Sequence, residues 1–248
     1  MSTPIMSVVV PVFNEEGNAV HLAYEIANAC ADIPHEIIFI DDASTDGTCE
    51  ALHKAKTALP RLRVLTHQRN AGQSRAIRTG ILAAKGNIIG ILDGDGQNDP
   101  ADLPALLDLY KSTSPSPAMV AGQRGKRQDT WAKKIGSRIG NGIRRTLLHD
   151  GIRDTGCGLK VLSRDAYLRL PFFDHQHRYM AALMARENLV VITHPVSHRA
   201  RQSGQSKYSN LGRMTVSVRD LLGVMWLQSR ARLPGRISET SDKEKTTK

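Results

Sequence analysis

The sequence predicts an α/β protein whose mostly parallel sheet is covered by helices on both faces. Through the first half of the chain, apolar β-branched runs alternate with segments of helical spacing, the order that builds parallel β-α-β units. The strand runs are apolar throughout, not at every second residue, as strands buried on two faces must be. Three polar stretches, PVFNEE, DDASTDGT and DGDGQND, fall just after such runs. Parallel sheets bind ligands beyond the carboxyl ends of their strands, so these stretches are expected to converge.

SVVVPVF (7–13) reads as the first strand, and NEEGNAVHLAYEIANAC (14–30) shows helical spacing at Val20, Ala23, Tyr24 and Ala27. HEIIFID (35–41) is a second strand; DGTCEALHKAKTAL (46–59) is a helix with Asp46 as its cap. LRVLTH (62–67) is a third strand, followed by a helix over 71–86 closed by Gly86. NIIGILD (87–93) is a fourth strand, and a helix over 99–111 opens with Asp99 as cap and Pro100 at its first position. The second half is less regular. Strands are expected at 118–124 and 188–196, a basic helix at 131–148, a basic glycine-containing loop at 199–209 and a helix at 210–233. Residues 1–234 thus form one domain, and the polar tail 235–248, with almost nothing to bury, is expected to be disordered.

Charge divides the 248 residues unevenly. Residues 1–124 hold ten basic and fourteen acidic side chains, a net −4; residues 125–248 hold twenty-four and ten, a net +14. The basic half suits an anionic partner: nucleic acid, an anionic membrane or a phosphorylated substrate. Four Phe and five Tyr, with no stacking motif, argue against nucleic acid. Cys30, Cys49 and Cys157 are far apart, form no CxxC pair and fit a reducing cytoplasm. The N-terminal segment lacks the charge and apolar core of a signal peptide, and no apolar run is long enough to span a bilayer.

The stretch ILDGDGQNDP (91–100) sets Asp93, Asp95 and Asp99 within seven residues. Like charges this close need a cation or several donors. A calcium loop starting at Asp93 would need Gly at its sixth position and Glu at its twelfth, where Asn98 and Pro104 stand; one starting at Asp42 meets His53 at the twelfth. What remains is a D-x-D element at a strand end, holding a divalent ion that itself holds phosphates. Asp99 reads as a helix cap. Asp42, at the end of strand two, can accept hydrogen bonds from a nucleoside; Asp46 and Thr45 read as helix-start residues. Arg201 and Lys207 flank Gly204 in a loop suited to closing over a diphosphate.

Taken in order, VVVPVFNEE, IIFIDDASTDGT, RNAGQSRAIRTGI, ILDGDGQNDP, GQR and RQSGQSK resemble family 2 glycosyltransferases. Within that family they look like the branch of dolichyl-phosphate mannose synthases and undecaprenyl-phosphate sugar transferases. The resemblance implies a GT-A fold, a nucleotide-sugar donor linked through GDP or UDP, Mg²⁺ or Mn²⁺, and a polyprenyl phosphate acceptor. It implies donor contacts from Pro11, Phe13, Glu15, Ile40 and Asp42, with Asp93, Gly94 and Asp95 along ribose and diphosphate. Asp95 and Gln97, with Asp93 close by, would hold the metal; Arg124, Arg201 and Lys207 would hold the diphosphate and the acceptor phosphate. Asp93, Asp95, Arg124 and Arg201 are the implied catalytic set. The chain departs from the family pattern at Phe13 (usually Tyr), at DGDGQ (usually DADLQ) and at Gln123 (often Thr). Most bacterial members also carry C-terminal transmembrane helices.

A polyprenyl phosphate is already anionic, so it can attack without a carboxylate base. An acceptor hydroxyl would need one, and Asp154 and Asp165 are the available acids, the latter reading as a helix cap. The acceptor implies a peripheral place on the cytoplasmic face of the inner membrane, with a membrane partner subunit or a homo-oligomer open. On 210–233, Leu211, Met214, Val218, Leu221, Leu222, Met225 and Trp226 fall near one stripe, with Arg213, Arg219, Arg230 and Arg232 nearby. That stripe fits a membrane interface or packing on the core or a second chain, and the basic segment 131–148 could serve the membrane instead.

Overall fold

The computed structural model describes residues 3–125, 142, 144, 146–148, 150–152, 154–199 and 210–234, with side chains from 218 onward in the last segment. Arg201, Lys207, most of the basic segment 131–148 and the tail 235–248 lie outside the described residues. The elements run β1 (Met6–Val12), α1 (Glu16–Ala29), β2 (His35–Asp41), α2 (Thr48–Ala55), β3 (Leu62–Thr66), α3 (Gln73–Ala83), β4 (Ile88–Ile91), α4 (Leu103–Ser112) and β5 (Met119–Arg124). They continue through β6 (Lys160–Ser163), α5 (Arg164–Leu168), α6 (Met180–Arg186), β7 (Val191–Val196) and α7 (Asn210–Ser229).

Seven strands lie in the order β3-β2-β1-β4-β6-β5-β7. All pairings are parallel except those of β6, which runs antiparallel between β4 and β5. The apolar runs bury both faces as expected. Val8, Val10, Ile37 and Phe39 join one core with residues of α1, α2 and α4; Val9, Ile38 and Ile40 join the other with residues of α3 and α6. Pro11 is tolerated in central β1 because β1–β4 pairing ends at Val9↔Ile91, so no ladder bond is lost there.

Several boundaries move, each for a local reason. β6 was not anticipated: KVLS is four residues long, too short for a periodic signal. β7 starts at Val191, not 188, because 188–190 finish the preceding helix. Asn188 has φ +55°, its N–H bonds to the Ala185 carbonyl at 3.0 Å, and the Leu189 N–H bonds to that of Met184 at 2.9 Å, a Schellman stop. α3 ends at Ala83 with Ala84 as its C-cap, not at Gly86, whose N–H donates to Ser7 Oγ at 2.9 Å. α2 ends at Ala55, short of 59, and the 99–111 helix opens with a 3-10 turn at Pro100–Asp102. Ser163, not Asp165, caps α5, its Oγ accepting from the Ala166 N–H at 3.2 Å.

Glu36, in β2, is 6% exposed and anchors the opposite, amino end of the sheet. It accepts from Ser7 Oγ and the Lys85 N–H, both at 2.6 Å, and from Arg63 Nη1 at 2.6 Å. Burial alone pushes its carboxyl up, but these hydrogen bonds together hold it below its usual value. Its contribution is therefore present above the ordinary Glu range and is lost as pH falls through the lowered value. Glu36→Gln turns an amide donor toward existing donors and is expected to cost about 1–3 kcal/mol at pH 7. Denaturant melts at pH 7 and pH 3 should show the wild-type advantage shrinking at the lower pH.

Candidate active site at the carboxyl ends of the strands

The first two polar stretches are stitched together. The Asn14 N–H donates to Ser44 Oγ at 2.9 Å, and the Thr45 N–H donates to Asn14 Oδ1 at 2.7 Å. The Glu15 N–H donates to Thr48 Oγ1 at 2.8 Å, and Asp46 accepts from the Thr48 N–H at 3.0 Å; the cap position of α2 is held by Gly47, not by Asp46, which sits one residue before it. Glu15 closes the amino end of α1, its Oε2 accepting from Asn18 Nδ2 at 2.7 Å. The third stretch packs against the first: a Cβ on Gly94 would lie 2.7 Å from the Pro11 carbonyl oxygen. Only glycine permits that approach.

Asp42 is 3% exposed. Its carboxylate accepts from His67 Nδ1 at 2.7 Å and from the N–H groups of Ala71 and Gly72 at 2.9 and 2.7 Å. It thereby ties the loop after β3 to the end of β2. Ile40 has no exposed surface and belongs to the core against α3, so its side chain supports the sheet and does not face a ligand. Phe13 is half-buried beyond the end of β1.

Asp93 and Asp95 stand half-buried beyond β4. Gly96, at φ +71°, turns the chain between Asp95 and Gln97. Asp95 Oδ1 accepts from the Gln97 N–H at 3.2 Å, and Asp93 Oδ1 accepts from Gln73 Nε2 at 2.7 Å. Burial raises the proton affinity of Asp93, and the Asp95 charge raises it further, against Lys160 and Arg124. A second oxygen on each carboxylate has no hydrogen-bond partner among the described residues. Two repelling carboxylates, with the Gln97 amide beside them, are hard oxygen donors too few to enclose an ion, as Mg²⁺ and Mn²⁺ prefer. The residues therefore fit such an ion. Among the described residues, no group of three His, Cys, Asp or Glu converges.

Cations approach from β5 and β6. Lys160 is 7% exposed and pairs in register with Ile91 on one side and Ala121 on the other. That places it level with Ile91, two residues before Asp93. Burial lowers its proton affinity, and the charges of Cys157, Asp93 and Asp154 oppose the loss; its Nζ donates to the Cys157 carbonyl. Arg124, expected to hold phosphate, grips Asp154 with both ends of its fork: Nε to Oδ2 at 2.7 Å and Nη2 to Oδ1 at 2.8 Å. Gly158 lies against Asp93 so closely that any Cβ there would overlap the carboxylate.

Two further contacts frame the site. Arg199 donates through Nη1 to Glu25 at 2.6 Å and through Nη2 to Asp99 at 2.7 Å, and its N–H reaches the Gln97 carbonyl at 2.9 Å. Asp99, read as a cap, does cap at Ala101 (3.0 Å) but also anchors the start of the basic loop beside Gln97. Ser74 Oγ meets His177 Nδ1 at 2.7 Å. Burial and the Arg178 charge push that imidazole well below its usual pKa, so it is neutral at pH 7. Gln73, Lys160, Gly158 and His177 went unread in the sequence as site residues, and Arg199 was read only as the start of the basic loop 199–209. Gln73 lies in RNAGQSRAIRTGI, quoted above for its resemblance alone; the others carry no motif.

The sequence matches the profile of the family described as "Glycosyl transferase family 2" over residues 7–170. It is 33% identical over 239 residues to a dodecaprenyl-phosphate galacturonate synthase of Rhizobium johnstonii, covering 94% of this chain and 70% of that protein. It is 31% identical over 211 residues to an undecaprenyl-phosphate 4-deoxy-4-formamido-L-arabinose transferase of Edwardsiella ictaluri, covering 82% and 62%. The chain thus spans about two thirds of the length of such relatives. The glucosyl-3-phosphoglycerate synthase of Mycobacterium tuberculosis superposes with a TM-score of 0.70 at 16% identity, covering 94% of this chain and 81% of that one. The mannosyl-3-phosphoglycerate synthase of Rubrobacter xylanophilus gives 0.69 at 16%, covering 94% and 79%. These likenesses show the GT-A fold. The chain belongs to glycosyltransferase family 2 and is a glycosyltransferase.

Proposed function

We propose that the chain transfers a sugar from a GDP- or UDP-linked donor to a polyprenyl phosphate, with inversion and with Mg²⁺ or Mn²⁺. The observation that carries this reading is the opposition of charges beyond the carboxyl end of β4: Asp93 and Asp95, with Lys160 and Arg124 beside them. The curated relatives named above act on polyprenyl phosphates, and the M. tuberculosis neighbour holds Mn²⁺ and UDP. Both support the reading.

Pro11, Phe13 and Glu15 form the nucleoside wall, with Asp42 reaching it through the lone pairs its internal bonds leave free. Gly94 lets ribose and diphosphate approach the backbone. Asp93, Asp95 and Gln97 hold the ion, which when bound neutralises charge on the departing diphosphate. The acceptor phosphate oxygen attacks the anomeric carbon from the face opposite the diphosphate, and the nucleoside diphosphate leaves. Arg201 and Lys207 are assigned to the two phosphates. Holding two anions together is then the main task. The alternative of a hydroxyl acceptor needs a base, and Asp154, the acid read for that role, is held bidentate by Arg124.

Purified chain incubated with Mn²⁺, undecaprenyl phosphate and a panel of nucleotide sugars should move sugar from one donor into the lipid phase. Metal-dependent nucleotide binding with no transfer from any donor would remove the lipid-phosphate acceptor.

A further inference from the structure

The stripe of α7 read as one in the sequence is split in two by the structure. Val224 has no exposed surface, and Leu221, Met225 and Leu227 pack against the core. On that side Gln228 Nε2 donates to the Leu148 carbonyl at 3.0 Å, Arg186 Nε donates to the Leu227 carbonyl at 2.9 Å, and Asp220 pairs with His175 at 3.0 Å. The other side carries Val218, Leu222 and Trp226, which are 53%, 60% and 63% exposed. At roughly 100° per residue, these three positions span about 80° of the helix. The helix is therefore docked by one apolar face and bare on another.

Charge and size select what covers the bare face. Arg219, Arg230 and Arg232 are exposed, whereas Asp220, the acidic residue of α7, is turned to His175. Arg219 and Arg230 fall beside Trp226 at the border of the stripe by the same angular step. Three side chains fall far short of the roughly 800 Å² a side of a stable protein interface. A shallow apolar stripe bearing Trp and edged by arginine does match a helix lying in a bilayer interface.

We propose that the outer face of α7 docks on an anionic bilayer. Val218, Leu222 and Trp226 enter the acyl boundary, and Arg219 and Arg230 lie among the headgroup phosphates. The inference rests on the proposed polyprenyl phosphate acceptor, which resides in such a bilayer. The inner face, through Val224 and Gln228, keeps the catalytic domain attached to the helix.

The test uses the full chain with Trp131→Phe, which leaves Trp226 as its only tryptophan. Phosphatidylglycerol vesicles should blue-shift its emission and phosphatidylcholine vesicles should not. Val218→Ser, Leu222→Ser and Trp226→Ser together, with melting unchanged, should weaken vesicle pelleting about tenfold or more. Arg219→Gln and Arg230→Gln should each weaken it about fivefold. The triple variant should transfer sugar normally to a detergent-dispersed acceptor and poorly to the same acceptor in vesicles. Undiminished pelleting of the triple variant overturns the proposal. So does self-association that the triple variant abolishes, without vesicle binding, which assigns the face to a second copy. If the unaltered chain transfers to neither acceptor, the acceptor reading fails, and the pelleting result still decides the docking surface.

Discussion

Asp95→Ala is expected to reduce sugar transfer by about 10²–10³-fold or more without weakening the fold. The side chain is half-buried, and among the described residues its one hydrogen bond comes from the neighbouring Gln97 N–H at 3.2 Å. Its charge raises the proton affinity of Asp93, so its removal relieves a repulsion. The metal-free variant should melt at the wild-type temperature or up to about 2–4 °C above it. The rise in melting temperature that Mn²⁺ with a nucleoside diphosphate gives the wild type should vanish. Calorimetric melts with and without Mn²⁺ check both halves. A variant that still transfers sugar with the metal chelated would show that these carboxylates do not hold a metal.

Gly158→Ala should act on the neighbouring carboxylate, Asp93, without altering any group proposed to touch substrate. A methyl there overlaps Asp93. Asp93 is also held by Gln73 Nε2 at 2.7 Å, and its own N–H donates to Asn98 Oδ1 at 3.2 Å, so it cannot retreat freely. A displacement of about 1 Å is enough to cost about 10²-fold in turnover. The expected result is a fall in kcat/KM of that order with weakened Mn²⁺ binding, from one added methyl group. Gly156→Ala is the contrast. Its Cβ would meet Arg124 Nη2 at 2.9 Å and Asp154 at 3.6 Å, so it should disturb the ion pair while leaving metal affinity near wild type. Equal losses of Mn²⁺ affinity in the two variants would deny Asp93 its particular part in holding the ion.

The two halves of the chain differ in what a reader of the sequence can recover. β1 through α4 were legible because each strand is an apolar run and each helix an amphipathic period, and local chemistry sets both. The polar stretches at the strand ends were legible for a related reason: a carboxylate cluster after a buried strand has few structural uses. β6 was not, since KVLS is too short to show a period and is a strand only because β4 and β5 offer it edges on both sides. Lys160 and Gly158 were lost with it as members of the site, and Asp154, read as a possible base, could not be seen as the partner of Arg124.

The sequence by itself determined the alternating α/β order, the family and the acidic residues proposed to hold a metal, because hydrophobic period and motif are properties of neighbouring residues. Only the tertiary structure decided where each charged side chain finds its partner. Arg124 closes on Asp154 thirty residues away, Asp42 on the loop at Ala71 and Gly72, and Arg199 on Glu25 and Asp99. It also divided the single apolar stripe of α7 between a buried and an open face. Ion pairs and helix faces are settled by what lies across space, and sequence distance carries no record of that.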